Sequence, residues 1–141
     1  MLDFVEVFKL IVALYPKEKE LNYDKLVKIT YLIDWRSAIV QKKQITNTKW
    51  YINNYGPYID NMYETLTAQH IDIKNLLQHR DVKLIEFDKN TLNIVNFILN
   101  KTINLEYDKF VTMVFSTFPI ATSTKYSYVN LVKMAEEYKK E

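Results

Sequence analysis

Residues 28–66 read KITYLIDWRSAIVQKKQITNTKWYINNYGPYIDNMYETL, and the order of elements in the chain follows from this stretch. Its first part repeats apolar residues three and four positions apart, which is typical of a helix. Between residues 45 and 55 the pattern changes, and aromatic residues that favour strands are interrupted by asparagines. The stretch therefore predicts a helix, then a short β-segment or irregular loop, then the pair Gly56-Pro57, which holds the only glycine of the chain.

Apolar periodicity predicts three helices in the first half of the chain. The first begins at Asp3, which is followed three residues later by a glutamate at capping-box spacing. The second begins near Asn22 or Asp24 and ends near Gln41, where the apolar stripe stops. The third is expected to open at Pro57, because proline at the first helical position loses no needed hydrogen-bond donor.

The second half of the chain predicts three more helices and one hairpin. Asp88, Asn104 and Ser127 are suitable N-caps for the helices, and Pro119 is expected to end the middle one. Residues 82–87 partly alternate between apolar and polar side chains, as a strand does, and Leu76-Leu77 can pair with them. The segment Leu76–Phe87 is therefore expected to form a β-hairpin. The predicted fold is mainly α, a compact bundle of about six helices with a small β-hairpin or short sheet.

Length and composition limit the class of protein. A chain of 141 residues with 48% hydrophobic and 26% charged residues suits one globular domain, residues 1–141. The chain has no cysteine, which excludes disulfides and thiolate metal sites and fits a cytoplasmic protein. No apolar run reaches the ~20 residues that span a bilayer, so we expect no membrane partner.

Catalytic signals are weak. The two histidines, His70 and His79, lie outside any metal-binding or paired-carboxylate spacing. One glycine cannot build a phosphate-binding loop, and no nucleophile-elbow motif occurs. We expect no enzyme activity, no cofactor and no metal. A small hydrolase that uses Asp34, Asp60 or Glu64 is an open alternative, and it requires these carboxylates to converge in one pocket.

Aromatic residues are the positive feature, and one group of them lies where the helical pattern is least regular. Tyrosine and tryptophan supply large contact areas at low entropic cost and dominate the energetics of protein interfaces. The alternative for Trp50 and Tyr51 is packing beneath the loop. The predicted partner-binding residues are Lys49, Trp50, Tyr51, Tyr55, Gly56, Pro57, Tyr58 and Asp60.

A nucleic-acid-binding module is a further alternative. The second and third helices followed by the hairpin at Leu76–Phe87 would resemble a winged helix, and lysines clustered on one exposed helix would favour it. The net charge is only +2, and Arg36 and Arg80 are the only arginines. Arginine is the residue that most often reads guanine and clamps phosphate, so the composition argues against a nucleic-acid partner.

A Lys-x-x-Tyr run on the second helix is followed by a short turn, then by aromatic residues and a Gly-Pro pair. The residues of this pattern are Lys28, Tyr31, Ile45, Thr46, Trp50, Tyr51, Tyr55, Gly56 and Pro57. In this pattern, and from about Asp3 to Tyr138, the chain resembles the Panacea-domain antitoxins, the SocA-like, phage-associated family. It departs from the family pattern at Lys42 and Gln44, which occupy the places of a glycine and a proline in the turn.

The resemblance implies a non-catalytic helical antitoxin encoded beside a toxin. Members of the family neutralise unrelated toxins by direct binding, and the SocA-like members act as adaptors that deliver the toxin to a protease. The expected partners are thus a cognate toxin and a protease or chaperone.

Overall fold

The computed structural model describes residues 1–17, 19–78 and 80–140. Within them the chain forms eight α-helices, one turn of 3₁₀-helix and three short strands, which confirms the mainly α fold with a small sheet. The helices are α1 (Phe4–Leu14), α2 (Tyr23–Gln41), α3 (Met62–Ala68), α4 (Ile73–Gln78), α5 (Lys89–Thr102), α6 (Tyr107–Phe115), α7 (Phe118–Thr122) and α8 (Leu131–Lys140). The 3₁₀ turn is Leu84–Glu86, and the strands are β1 (Trp50–Asn53), β2 (Gly56–Ile59) and β3 (Ser127–Val129).

The long helix α2 lies at the centre of the fold and contacts α1, α5, α8 and β2. Nearly all of its residues from Leu26 to Ala38 are buried, as expected of a helix that is covered on every side. Asn22 caps its first turn by accepting the backbone N–H of Lys25 at 2.9 Å. The helix ends at Gln41, as the sequence predicts.

Helix α1 packs against α2 and starts where the capping-box spacing places it. The Asp3 carboxylate accepts the N–H of Val5 at 2.6 Å, and the Glu6 carboxylate accepts the N–H of Asp3 at 3.3 Å. These bonds satisfy backbone donors that have no partner within the first helical turn.

The three strands form one antiparallel sheet in the order β2-β1-β3. β1 and β2 make a hairpin in which Asn53 pairs with Gly56, and β3 joins the other edge of β1 from far along the chain. Trp50, Ile52 and Ile59 point into the core, so one face of the sheet covers α2.

The predicted helix opening at Pro57 is wrong, because Gly56-Pro57 begins the strand β2 and α3 starts only at Met62. β2 is a terminal strand of the sheet, where a residue without a backbone N–H leaves no ladder bond unmade. The sequence predicts a β-segment before Gly56-Pro57, where β1 lies, but it does not predict the strand β2 that Gly56-Pro57 begins.

In the second half of the chain, several helices and strands begin or end at residues other than those predicted. The hairpin expected at Leu76–Phe87 is wrong, because none of the described residues of this segment forms a strand. Residues 76–78 end α4, residues 84–86 form the 3₁₀ turn, residues 80–83 and 87 lie in neither, and His79 is outside the described residues. Asp88 caps α5 as predicted, but Glu106 rather than Asn104 precedes α6.

Pro119 and Ser127 also lie in elements other than those predicted. Pro119 lies in the first turn of α7 rather than ending a helix, and Ser127 begins β3 while Asn130 caps α8. With the hairpin at residues 76–87 absent, the winged-helix alternative loses the element that it required.

Candidate functional site

The carboxylate of Asp34 ties the centre of α2 to the loop that leads into the sheet. Asp34 is fully buried, and its Oδ1 accepts the backbone N–H groups of Ile45 at 3.0 Å and Thr46 at 2.9 Å. Its Oδ2 accepts the Thr46 hydroxyl at 2.5 Å and the Trp50 indole N–H at 2.9 Å, with the Gln44 amide at 3.4 Å. Five donors therefore hold residues 44–50 in one conformation.

Burial raises the pKa of Asp34 to about 6, because removal from water disfavours the charged carboxylate. The hydrogen bonds from Thr46, Trp50 and Ile45 act in the opposite direction and keep the pKa from rising further. A perturbed carboxylate is often a catalytic signal. Here the side chain has no exposed surface, so its chemistry is that of an internal anchor.

The hydrolase alternative needed Asp34, Asp60 and Glu64 in one pocket. Asp34 is buried beneath the sheet, whereas Asp60 is partly exposed and accepts the Tyr128 hydroxyl at 3.1 Å. Five surface cavities in the described part of the chain are lined by none of these three carboxylates. Within that same part, no group of three or more His, Cys, Asp or Glu residues is arranged to hold a metal ion.

The Lys-x-x-Tyr run of α2 supports the sheet from below. Tyr31 is fully buried, packs edge-on against Trp50 with ring centroids 5.5 Å apart, and shares a 2.7 Å hydrogen bond with the Thr117 hydroxyl. Lys28 is 3% exposed and pairs with Asp24 four residues earlier. Both residues are therefore internal and cannot offer their side chains to a partner.

Gly56 lies directly over this support. Its φ of 105° is a conformation that side chains rarely adopt. A Cβ at this position would meet the ring of Phe115 at 3.3 Å and Cε of Lys28 at 3.9 Å. The only glycine of the chain thus allows a positive φ and a close approach together.

The solvent-facing side of the sheet carries a row of tyrosines, one from each strand. Tyr51 of β1 pairs with Tyr58 of β2 on one side and with Tyr128 of β3 on the other. Cross-strand partners lie on the same face of a sheet. The rings of Tyr51 and Tyr128 are in edge contact, with centroids 5.0 Å apart and planes at 66°.

Two charged side chains hold the end of this row. The ammonium group of Lys49 lies 4.2 Å from the centroid of the Tyr128 ring, a cation–π arrangement. The Tyr128 hydroxyl donates to Oδ1 of Asp60 at 3.1 Å, and this bond is the main cause that raises the pKa of Tyr128. We call Lys49, Tyr51, Tyr58, Asp60 and Tyr128 the tyrosine face.

The hairpin tip extends beside the tyrosine face. Tyr55 is 79% exposed, so nearly all of its ring faces solvent. Next to it, the Tyr126 hydroxyl donates to Oδ1 of Asn54 at 2.7 Å. Tyr55 and Tyr58 also line a small cleft of about 230 Å³ together with Tyr63.

The structure divides the predicted partner-binding residues into two groups. Trp50, Gly56 and Pro57 are buried; Trp50 packs beneath the sheet, which is the alternative stated for it, and Gly56 and Pro57 lie in β2. The other five lie on the surface or partly so, and their contact with a partner stays a prediction. They are Lys49, Tyr51, Tyr55, Tyr58 and Asp60.

Tyr128 is the site residue that sequence reasoning missed. It was assigned to a helix capped by Ser127, whereas it lies on β3, and only the pairing of β3 with β1 brings it beside Tyr51. The one available signal was the alternation of residues 127–129, which is too short to distinguish a strand from a helix start.

The fold and the face define a mainly helical domain with a small sheet whose outer side is aromatic and whose inner side is anchored by Asp34. The chain belongs to the family described as antitoxin SocA-like, Panacea domain, whose model matches residues 26–117. This family is generally non-catalytic, and its antitoxin class implies a toxin as partner. Neither the curated proteins nor the solved structures contain a match to the chain.

None of the described helices is both long enough and apolar enough to cross a bilayer.

Proposed function

We propose that this protein neutralises a toxin encoded beside it by binding the toxin directly through the tyrosine face. The observation that carries the proposal is the row Tyr58-Tyr51-Tyr128, whose end is held between Lys49 and Asp60. Interface hot spots are enriched in tyrosine and cluster in such centres.

The arrangement favours binding because its side chains are ordered before the partner arrives. Immobilising a flexible side chain at an interface costs roughly 0.5–1.5 kcal/mol. Tyr128 already has its ring packed against Tyr51 and its hydroxyl bonded to Asp60, so most of this cost falls on folding rather than on association.

Most residues that carry the family resemblance lie in a different layer from the tyrosine face; the exceptions are Tyr51, which belongs to both sets, and the exposed Tyr55. Lys28, Tyr31, Trp50, Gly56 and Pro57 are buried, whereas the tyrosine face is accessible. A shared internal scaffold beneath an exchangeable surface suits a family whose members neutralise unrelated toxins. This division supports a binding role for the outer side of the sheet.

The test is co-expression of the chain with the protein encoded by the neighbouring gene. Wild type should restore growth and co-purify with the toxin. Tyr51→Ala, Tyr58→Ala and Tyr128→Ala should each weaken toxin binding by about thirtyfold or more if they are hot spots. Circular dichroism and thermal melting must show that each variant remains folded.

Tyr107→Ala is the matched control. Tyr107 is 48% exposed and donates its hydroxyl to Asp24 at 2.6 Å, whereas Tyr128 is 50% exposed and donates to Asp60. Each substitution therefore removes a tyrosine of similar exposure and one tyrosine–aspartate hydrogen bond, but Tyr107 lies on α6 rather than on a strand of the sheet. Wild-type binding by all three sheet variants would refute the tyrosine face as the interface. Failure of wild type to bind the neighbouring protein would refute the antitoxin role.

The family resemblance also implies a more specific activity than toxin binding, because SocA-like members deliver the toxin to a protease. It can be followed in the same cells by measuring the half-life of the toxin with and without this chain. Neutralisation at an unchanged half-life would assign simple inhibition, and a shortened half-life that depends on the chain would assign an adaptor role.

A further inference from the structure

A cleft of about 630 Å³ opens next to the tyrosine face, and it falls within the range of about 300–1,000 Å³ that is typical of ligand sites. One wall is the loop of residues 42–49, and the other is formed by residues 128–132 at the end of β3 and the start of α8. Lys49 and Tyr128 line the cleft and also belong to the tyrosine face, so the two surfaces are continuous.

The cleft carries positive charge on an otherwise nearly balanced protein. Lys42, Lys43 and Lys49 line it and are exposed, and no described aspartate or glutamate lines it with them. Asp88 is the carboxylate that acts on Lys43 from outside, and it offsets part of that one charge. The remaining charge favours an anionic occupant.

The walls of the cleft are held in place before any occupant binds. Lys42 ends α2 in the left-handed conformation, with φ 60° and ψ 28°. Beyond it, the buried carboxylate of Asp34 fixes Ile45 and Thr46 through their backbone N–H groups. The lysines are thus presented from a rigid loop, which lowers the entropic cost of binding.

We propose that this cleft receives an acidic, extended peptide segment of the toxin, an inference that rests on the proposed function and names the chemistry of the partner. On the wall formed by residues 128–132 the lining includes Val129 and Val132, which suit the apolar side chains of a peptide. Nucleic acid fits less well, since among the described residues no arginine lines the cleft and Tyr128 is the one aromatic residue there.

The test uses a fluorescein-labelled octapeptide that alternates glutamate with valine and glycine, and fluorescence anisotropy as the measurement. The acidic peptide should bind at least about tenfold more tightly than its counterpart with lysine in place of glutamate, and its affinity should fall with added salt. Lys43→Glu should weaken binding about tenfold or more. Lys42→Asn, which removes the charge while keeping a residue that tolerates the left-handed conformation, should weaken it less.

Lys109→Glu is the matched control, because Lys109 is an exposed lysine on α6 that does not line the cleft. The proposal is overturned if Lys109→Glu weakens binding as much as Lys43→Glu, since the effect would then come from net charge. It is also overturned if the lysine peptide binds equally well, or if an octathymidylate binds as tightly as the acidic peptide.

Binding measurements with the toxin itself distinguish a failure of this inference from a failure of the proposed function. A toxin that loses binding to Tyr128→Ala, but binds Lys43→Glu with unchanged affinity and salt dependence, would overturn the cleft assignment alone. Binding of the acidic peptide in the cleft without any binding of the toxin would overturn the antitoxin role and the toxin as the source of the peptide, whereas the preference of the cleft for an acidic peptide would stand.

Discussion

Nε1 of Trp50 donates to Oδ2 of Asp34 at 2.9 Å, and this bond joins the first residue of the sheet to the middle of the central helix. Both side chains are fully buried. The Asp34 carboxylate also accepts the backbone N–H groups of Ile45 and Thr46, so both ends of the loop of residues 45–50 are hydrogen-bonded to the same side chain. The position of the sheet, and with it the tyrosine face, depends on this anchor.

Asp34→Asn should destabilise the protein by about 1–3 kcal/mol. Asparagine has one oxygen where aspartate has two, so its amide N–H₂ would face donors such as the Trp50 indole and leave them without an acceptor. Urea denaturation measures the change. Asp108→Asn, at an exposed carboxylate in the first turn of α6, should change stability by less than about 0.5 kcal/mol. Equal effects of the two substitutions would contradict the anchor role of Asp34.

The contribution of Asp34 to stability should fall as pH rises from about 4 to about 6. Burial raises the pKa of folded Asp34 to about 6 from its ordinary 3.8, so between these values the folded state holds a proton that the unfolded state has released. Denaturation of wild type and Asp34→Asn between about pH 4 and pH 7 isolates the effect. The advantage of wild type should be largest at the acid end. An advantage that grows with pH would mean that the five donors outweigh burial.

Gly56→Ala should lower stability by about 1–3 kcal/mol, and Gly56→Val should lower it more. The reasons are the φ of 105° and the 3.3 Å approach of a Cβ to the Phe115 ring. Thermal melting measures both variants, and the expected shift for alanine is several degrees.

The double variant Gly56→Ala, Phe115→Leu separates the two causes. Relative to Phe115→Leu alone, the alanine should still be destabilising, because the smaller side chain relieves the contact but leaves the backbone strain. Full recovery would assign the whole effect to the ring, and a shift under a degree or two in the single variant would make Gly56 incidental.

Lys42→Gly should raise stability by about 0.5–1 kcal/mol. Lys42 ends α2 with φ 60°, a conformation that disfavours side chains and that glycine adopts freely. Lys43→Gly is the matched control, because Lys43 has no positive φ and should lose stability on substitution. The two should therefore move the midpoint of unfolding in opposite directions, and parallel shifts would contradict the strain at Lys42.

The sequence by itself determined the features that depend on neighbours in the chain. The capping box at Asp3, the span of α2 to Gln41 and the cap at Asp88 could be predicted because a helix makes its hydrogen bonds within one segment. The family pattern has a glycine in the place of Lys42, and the structure holds Lys42 in the left-handed conformation that glycine adopts freely, with φ 60°.

Only the tertiary structure decided which residues form the site. β3 pairs with β1 from more than 70 residues away, so the tyrosine face has no local signature and Tyr128 was missed. For Trp50 the sequence left both an interface role and packing beneath the loop open, and the structure buries it. Asp34 appeared as a candidate carboxylate and became an anchor, because its burial and its donors come from a loop that only folding brings over α2. Strand pairing and burial join distant segments, and no periodicity along the chain encodes them.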